Sequence, residues 1–271
     1  TSWLLNTIED QFGHRISFGY EAGESTVEVW NYRREYSFSV ALSNETTKDP
    51  DKEDYVQNDN NNWLRTQPLY LTYIAGNNTY IYFDHSPRQD LDNAFKYDRF
   101  EIQTAGQNIN DSSSRRFVNF NYSQFPNNAL KLDAVFEQCG TSQEKIFEFT
   151  YITNSNLPNR DSKDFDHWGY YNGKGNIELF PHFVTTVDDR EFSGANHEPN
   201  LYYAQANSLR RISNKTGGHI EYRYELNQIQ EDGITKNIGG LRIREIAQIV
   251  NGKEYVTSYH YTKNISGGES T

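Results

Sequence analysis

Asp164, Asp166 and His167 stand within four positions of one another, and His182 and His197 follow in the same stretch. Carboxylate oxygens and imidazole nitrogens are the donors a zinc or related ion takes. The spacing is not that of a metal motif, since there is no His-Glu-x-x-His and no paired Cys/His pattern. In a loop rich in aromatics, such residues are expected to make ordinary packing and hydrogen-bond contacts. Trp168, Tyr170 and Tyr171 sit among them. Their rings would stack on a sugar, and a carboxylate pair beside them would serve a glycosidase. The competing reading is that these aromatics anchor an irregular loop onto a sheet. Trp168, Tyr170 and Tyr171 are therefore the candidate contacts to a ligand or partner.

Other chemistry is weaker. Asp49 to Asn60 places oxygen-bearing residues at alternate positions, as a calcium loop does, but Asp54 stands where the sharp turn needs Gly and Asn60 where a bidentate Glu belongs. A solvated acidic loop over residues 44–62 is expected instead. Cys139 lies between Gln138 and Gly140, without the cationic surroundings that make a thiol nucleophilic. Ser193-Gly194 lacks the flanks of a nucleophile elbow, and Thr216-Gly217-Gly218 has no Lys-Ser/Thr continuation to cradle phosphate. Asn-x-Ser/Thr triplets at Asn44, Asn77, Asn110, Asn121, Asn214 and Asn264 are what an Asn-, Ser- and Thr-rich chain produces by chance. No catalytic residue, metal or cofactor is assigned.

The elements that carry these residues follow one recurring pattern. An apolar-led segment runs into a Gly- or Asn-bearing turn, and an aromatic-rich alternating segment follows. Leu4 to Ile8 leads through Gly13 into Arg15 to Tyr20. Leu69 to Ile74 leads through Gly76-Asn77-Asn78 into Tyr80 to Phe83, and Tyr97 to Ile102 precedes Arg116 to Tyr122. Leu130 to Phe136 leads through Gly140 into Lys145 to Tyr151. Leu209 to Ile212 leads through Gly217-Gly218 into His219 to Tyr224, and Leu241 to Ile246 through Asn251-Gly252 into Tyr255 to Tyr261. Val27 to Leu42 is read as a looser copy with a polar middle at Asn31 to Arg34. Alternation with period two puts one set of side chains on one sheet face, and Gly or Asn supplies the positive φ of tight turns. The fold class is all-β: successive antiparallel hairpins in a curved, open, shell-like sheet. Residues 1–153 form one run of hairpins, 154–208 an irregular connection or inserted module, and 209–271 hairpins that continue the sheet. One short helical turn is expected within Tyr202 to Arg210. An ordinary antiparallel sandwich is the alternative.

Composition narrows the partners. The 271 residues carry a formal charge of -11, which argues against nucleic acid, because phosphate contacts need clustered Lys and Arg. The 20 Tyr and 16 Phe suit half-buried pleated surfaces. A single cysteine excludes an intrachain disulfide framework. No apolar run approaches the roughly 20 residues of a membrane helix. Thr1 in place of Met, and the linker-like Gly267 to Thr271, lead us to expect a processed product, an excised domain or part of a longer chain.

From Asp166 to about Tyr261 the order of motifs resembles a segment of large bacterial surface or secreted proteins related to the RHS/YD-repeat family. The residues that carry the likeness are Asp166 to Gly173, Glu198-Pro199-Asn200, Ala204 to Leu209, Thr216-Gly217-Gly218, Glu221 to Glu225 and Gly239 to Ile243. In that family the segment lies upstream of the better-marked repeats. The resemblance implies a strip of hairpins that spirals, in RHS and Tc-toxin relatives, into a hollow shell around a C-terminal effector. Asn214-Lys215 stands where Tyr-Pro is expected before Thr-Gly-Gly, and no self-cleavage segment or toxin domain is visible. No effector activity is carried over to a residue here.

The expectation is thus a non-catalytic β-shell or scaffold segment, extracellular or at the bacterial cell surface. Its partners would be the remainder of its own polypeptide and an outer-membrane or secretion protein. The alternatives are a carbohydrate-binding or glycan-processing surface protein, and an adhesin or cargo of an outer-membrane secretion machine.

Overall fold

The computed structural model describes residues 4–23, 27–38, 55–66, 68–104, 106, 115–159, 162–179, 183–184, 191–192, 194–231 and 233–261. Its main body is one antiparallel sheet of 12 strands. In chain order the strands are β1 (Thr7–Glu9), β2 (Arg15–Ala22), β3 (Val27–Phe38), β4 (Tyr55–Thr66), β5 (Leu69–Gly76), β6 (Thr79–Pro87), β7 (Phe95–Thr104), β8 (Arg116–Gln124), β9 (Leu130–Cys139), β10 (Ser142–Tyr151), β11 (Phe183–Val184), β12 (Glu191–Phe192), β13 (Leu209–Asn214), β14 (His219–Glu231), β15 (Ile234–Val250) and β16 (Lys253–Ser258). The main sheet runs β1-β2-β5-β6-β7-β8-β9-β10-β13-β14-β15-β16, and β3 pairs with β4 and β11 with β12 in separate two-stranded sheets. The hairpin reading therefore holds along the whole sheet, with each strand beside its neighbours in sequence except where β3–β4 and the connection after β10 intervene.

Two expectations fail in one place. Val27 to Phe38 is a single strand through its polar middle, and residues 55–62, read as acidic loop, belong to β4. The two strands pair over 12 positions, from Val27 opposite Thr66 to Phe38 opposite Tyr55. Asn and Asp are depleted in strands, so composition hid β4, whereas the ladder that holds it is made of backbone groups any residue supplies. Asp49 to Asp54 lie outside the described residues. The expected helical turn is α1 (Leu201–Ala204), capped where the Asn200 side chain accepts from the Tyr202 N–H at 3.0 Å, while Leu209 and Arg210 belong to β13.

The repetition extends to an interaction that recurs at fixed register. Tyr20 on β2 faces Leu71, His85 on β6 faces Tyr97, Tyr122 on β8 faces Leu132, Tyr151 on β10 faces Leu209, and Tyr224 on β14 faces Ile243. At each step the partner strand carries one extra residue, respectively Thr72, Asp98, Asp133, Arg210 and Arg244. These are β-bulges, which bend a strand, tighten its twist and interrupt the hydrogen-bond ladder. The tyrosines donate back into the interruptions. The hydroxyl of Tyr122 donates to the carbonyl of Tyr97 at 2.9 Å, Tyr151 to Leu132 at 2.8 Å, Tyr224 to Leu209 at 2.6 Å and Tyr261 to Ile243 at 2.6 Å. Tyr20 does the same to Leu5 at 2.9 Å, ahead of β1. Tyr97, Leu132, Leu209 and Ile243 each face one aromatic residue and accept from the next, so the rungs form a continuous series from β7 to β15.

Aromatic contacts pack the same region. Phe83, Phe100 and Phe120 follow one another across β6, β7 and β8 at ring separations of 5.6 and 5.8 Å, and Phe125 meets Tyr151 edge-on at 5.1 Å. Gly19 lies beneath the Tyr73 ring, where a Cβ would stand 1.9 Å from it. Loop anchors complete the frame. Arg88 pairs with Asp90, which also accepts from the Leu130 N–H at 2.9 Å and so ties the β6–β7 connection to β9. Among the described residues the buried apolar ones are few, and most are alanines: Ala94, Ala134, Ala195, Ala204, Ala206 and Ala247 beside Phe117, Phe125, Val135 and Leu226. Larger side chains such as Leu5, Ile8, Tyr73, Tyr82 and Tyr255 remain exposed. The sheet is open, and among the described residues β1 and β16 each have one neighbour.

Burial raises the phenol pKa of the rung donors Tyr122, Tyr151 and Tyr224 above 10.0, and the carboxylates of Asp98 and Asp133 add to it at Tyr122 and Tyr151. A phenolate cannot donate. The rungs contribute fully below the ordinary phenol value and are lost as pH rises through the folded values, so unfolding followed by circular dichroism should accompany tyrosinate formation above pH 10. Tyr151→Phe or Tyr224→Phe should each cost about 1 kcal/mol in urea denaturation at neutral pH and leave the secondary structure intact. At the acid end Arg88 holds Asp90 down to about 2. That anchor should persist at pH 4 and be lost as pH falls through about 2.

Candidate functional site

The candidate aromatics lie in the connection between β10 and β13, which a buried carboxylate fastens to the sheet. Asp166 is 1% exposed and Asn172 is fully buried. Asp166 Oδ1 accepts from the backbone N–H of Trp168 at 2.8 Å and of Tyr170 at 3.0 Å. Oδ2 reaches across to the N–H of Gly240 on β15 at 2.9 Å. The backbone closes the same turn, with the Asp166 N–H on the Tyr170 carbonyl and the Gly169 N–H on the Asp166 carbonyl. An Asp folded back on the amides that follow it is a local turn device, and here it also clamps the turn to a distant strand.

The receiving strand is built for this approach. Gly239 and Gly240 both have positive φ, 93° and 73°. A Cβ on Gly239 would stand 2.7 Å from Asp166 Oδ2, and one on Gly240 2.5 Å from Asn227 Nδ2. The pairing of β14 with β15 shifts register on either side of Asn227, whose side chain donates to the Gly239 carbonyl at 2.9 Å.

A second layer of amides holds the remaining loop. Asn172 Nδ2 donates to the carbonyls of Asn196 at 2.8 Å and Glu198 at 3.3 Å. Asp164 Oδ1 accepts from the N–H groups of Lys174 and Asn176, and Asn176 exchanges two bonds with the Asn196 backbone. The ring nitrogens of His197 lie 2.7 Å from the Phe165 carbonyl and 2.9 Å from that of Leu179, and its ring is 5.0 Å from that of His167. The oxygens and nitrogens considered for a metal are thus committed to the backbone at Asp164, Asp166 and His197, and among the described residues no three His, Cys, Asp or Glu gather as a metal site. His182 and Ser193 lie outside the described residues.

The three aromatics have different settings. Trp168 is 59% exposed and rests against Gly239 and Gly240, whose added Cβ atoms would touch it at 3.1 and 3.6 Å. Tyr170 is 38% exposed. Tyr171 is half-buried and meets Tyr203 of α1 edge-on at 5.2 Å, a contact within the connection itself. Sequence reading named Asp166 only as a possible ligand and missed its clamp to Gly240. The signal available was the Gly239-Gly240 pair inside an alternating strand, which marks a bulge or a close approach. At the last turn, Asn214 Oδ1 accepts from the N–H groups of Thr216 and Gly218.

No protein-family model and no curated protein matches the chain. Among solved structures it is similar to a porin-like protein from Bacteroides uniformis at a TM-score of 0.29 and 9% identity, over 93% of this chain and 92% of that one. At that score no property of the porin-like protein is transferred.

Asp166→Ala should leave three backbone donors without their acceptor and cost at least about 2 kcal/mol in chemical denaturation. Gly239→Ala should cost about 1–3 kcal/mol through its positive φ and the collision with Asp166. In both variants limited proteolysis should open the chain first within residues 162–179.

Proposed function

We propose that this chain is a structural segment of a β-walled shell or scaffold in a longer secreted or cell-surface bacterial polypeptide of the RHS/YD-repeat kind, and that it performs no catalysis. The observation that carries this reading is the tyrosine rung, repeated at one register across a sheet whose two outer strands each have one neighbour among the described residues. A repeat whose units bury their surfaces mainly against neighbouring units suits a wall that grows by addition, since its stability is a sum of unit and interface contributions. The chemistry of the conspicuous polar residues agrees with it. Asp166, Asn172 and His197 spend their donors and acceptors on backbone groups, and Glu101 and Asp90 on arginine. An acid–base pair would need a proton-accepting atom turned towards a substrate cleft.

The test is hydrogen exchange on the 271-residue chain and on a longer product of its parent reading frame. If the wall continues, the amides of β1 and β16 exchange more slowly in the longer product, by about tenfold or more. Equal exchange in the two products would sink the reading.

The exposure of Trp168 and Tyr170 supports a second reading, a glycan-contacting surface. It predicts retention on a glycan array that Trp168→Ala abolishes while Tyr171→Phe retains it. An array without binding removes this reading and leaves the first untouched.

A further inference from the structure

We infer that the two outer edges of the sheet are the complementary halves of one missing rung, and that the β16 edge of one molecule takes the β1 edge of a second copy, head to tail. Inside the sheet every rung joins three things: an aromatic on an even-numbered strand, an apolar or aromatic residue facing it, and a bulged polar residue that follows the latter. At the β1 edge Leu5 already accepts from Tyr20, as Leu132 does from Tyr151, and Asn6 follows where Asp133 follows Leu132. The equivalence extends to the backbone. The Phe18 N–H donates to the Asn6 carbonyl as the Tyr259 N–H donates to that of the bulged Arg244, both at 2.9 Å. Leu5 thus holds every feature of a rung residue except an aromatic facing it from the other side. At the opposite edge Tyr261 donates to Ile243 and faces no further strand among the described residues.

The register is fixed by the rungs already present. Tyr151 faces Leu209 and Thr150 faces Arg211, with Arg210 left out. Transposed to the edges, Tyr261 faces Leu5, His260 faces Thr7, Tyr259 faces Ile8 and Ser258 faces Glu9, with Asn6 left out. The strands are antiparallel, as at every pairing within the sheet. Tyr259 then falls beside Ile8, at a groove of about 460 Å³ lined on the same side by Ile16, Ile74 and Ile81. Leu5, Ile8, Ile16, Tyr259 and Tyr261 are all exposed in the single chain. No like charges meet in this register. Because the two patches differ, the contact is heterologous, and repetition gives rings or open filaments.

The test uses the 271-residue chain with Cys139→Ser as background, so that only introduced thiols react. A Ser258→Cys chain is mixed with a Glu9→Cys chain under mild oxidation. In parallel, Ser258→Cys is mixed with Ile8→Cys, a one-residue slip that turns the side chain to the opposite face. The expected result is disulfide-linked dimer in the first mixture, formed about tenfold faster than in the second, together with a sedimentation mass of the unmodified chain that rises with concentration. A chain that stays monomeric at every concentration overturns the inference, and so does cross-linking at equal rates in the two mixtures. The inference concerns the 271-residue chain, since in a longer wall neighbouring segments would take the same two edges; the wall reading fails separately, by the exchange behaviour of the longer product.

Discussion

The structure depends on the hydrogen bond from a tyrosine hydroxyl to the carbonyl of a bulge-flanking residue on the strand before it. A bulge gives a long antiparallel sheet its bend, but it leaves backbone groups without ladder partners. An unpaired carbonyl in a half-buried setting costs about as much as a lost hydrogen bond. The phenol is suited to the repair, because its ring packs against neighbouring apolar residues while the hydroxyl at its far end reaches the backbone. Tyr122, Tyr151 and Tyr224 also each face the residue that the next tyrosine engages, so one bulge position selects the next. This coupling lets hairpins with turns of different lengths, from Gly76-Asn77-Asn78 to Thr216-Gly217-Gly218, enter one sheet in a common register.

The long connection after β10 obeys the same constraint in another form. It would interrupt the series between Tyr151 and Leu209, yet these two residues still face each other. The polar groups of the loop are turned inward onto its own backbone. Asp166 then fastens the folded loop to Gly240, two strands beyond the point of insertion. The buried amides and carboxylates of the loop allow a long insertion to leave the register of the sheet unchanged. The same arrangement leaves Trp168 and Tyr170 facing outward from a rigid base.

Much of this was legible in the sequence. Period-two alternation and Gly- or Asn-bearing turns located the hairpins from Leu4 to Tyr20, Leu130 to Tyr151 and Leu209 to Tyr261 close to where they lie. The terminal tyrosines of those copies were visible as well, but not as rungs, because a bulge is set by the offset between two strands and has no mark in either alone. β4 was hidden for a different reason. Its Asn- and Asp-rich course signals a loop by propensity, and only the partner strand shows that its backbone is paired. The clamp of Asp166 on Gly240 joins positions 74 residues apart, beyond the reach of local pattern.

The one exception in the series explains how the rule is enforced. At β6 the rung position carries His85, not tyrosine, beside the place where β3 and β4 leave the main sheet. The imidazole packs on Phe95 at 4.9 Å and on Tyr70 at 5.6 Å, and its shorter reach is offset by two neighbours. Tyr97 spans β6 to accept the Leu71 N–H at 2.9 Å, and Tyr70 spans it in the other direction to accept the Phe95 N–H at 3.0 Å. Two hydroxyls therefore bridge β5 and β7 where one rung differs from the rest. A sheet held only by apolar contact would tolerate histidine there without such a crossing. The paired compensation indicates that the requirement being met is backbone satisfaction at the bulge, with aromatic packing as the means of delivering it.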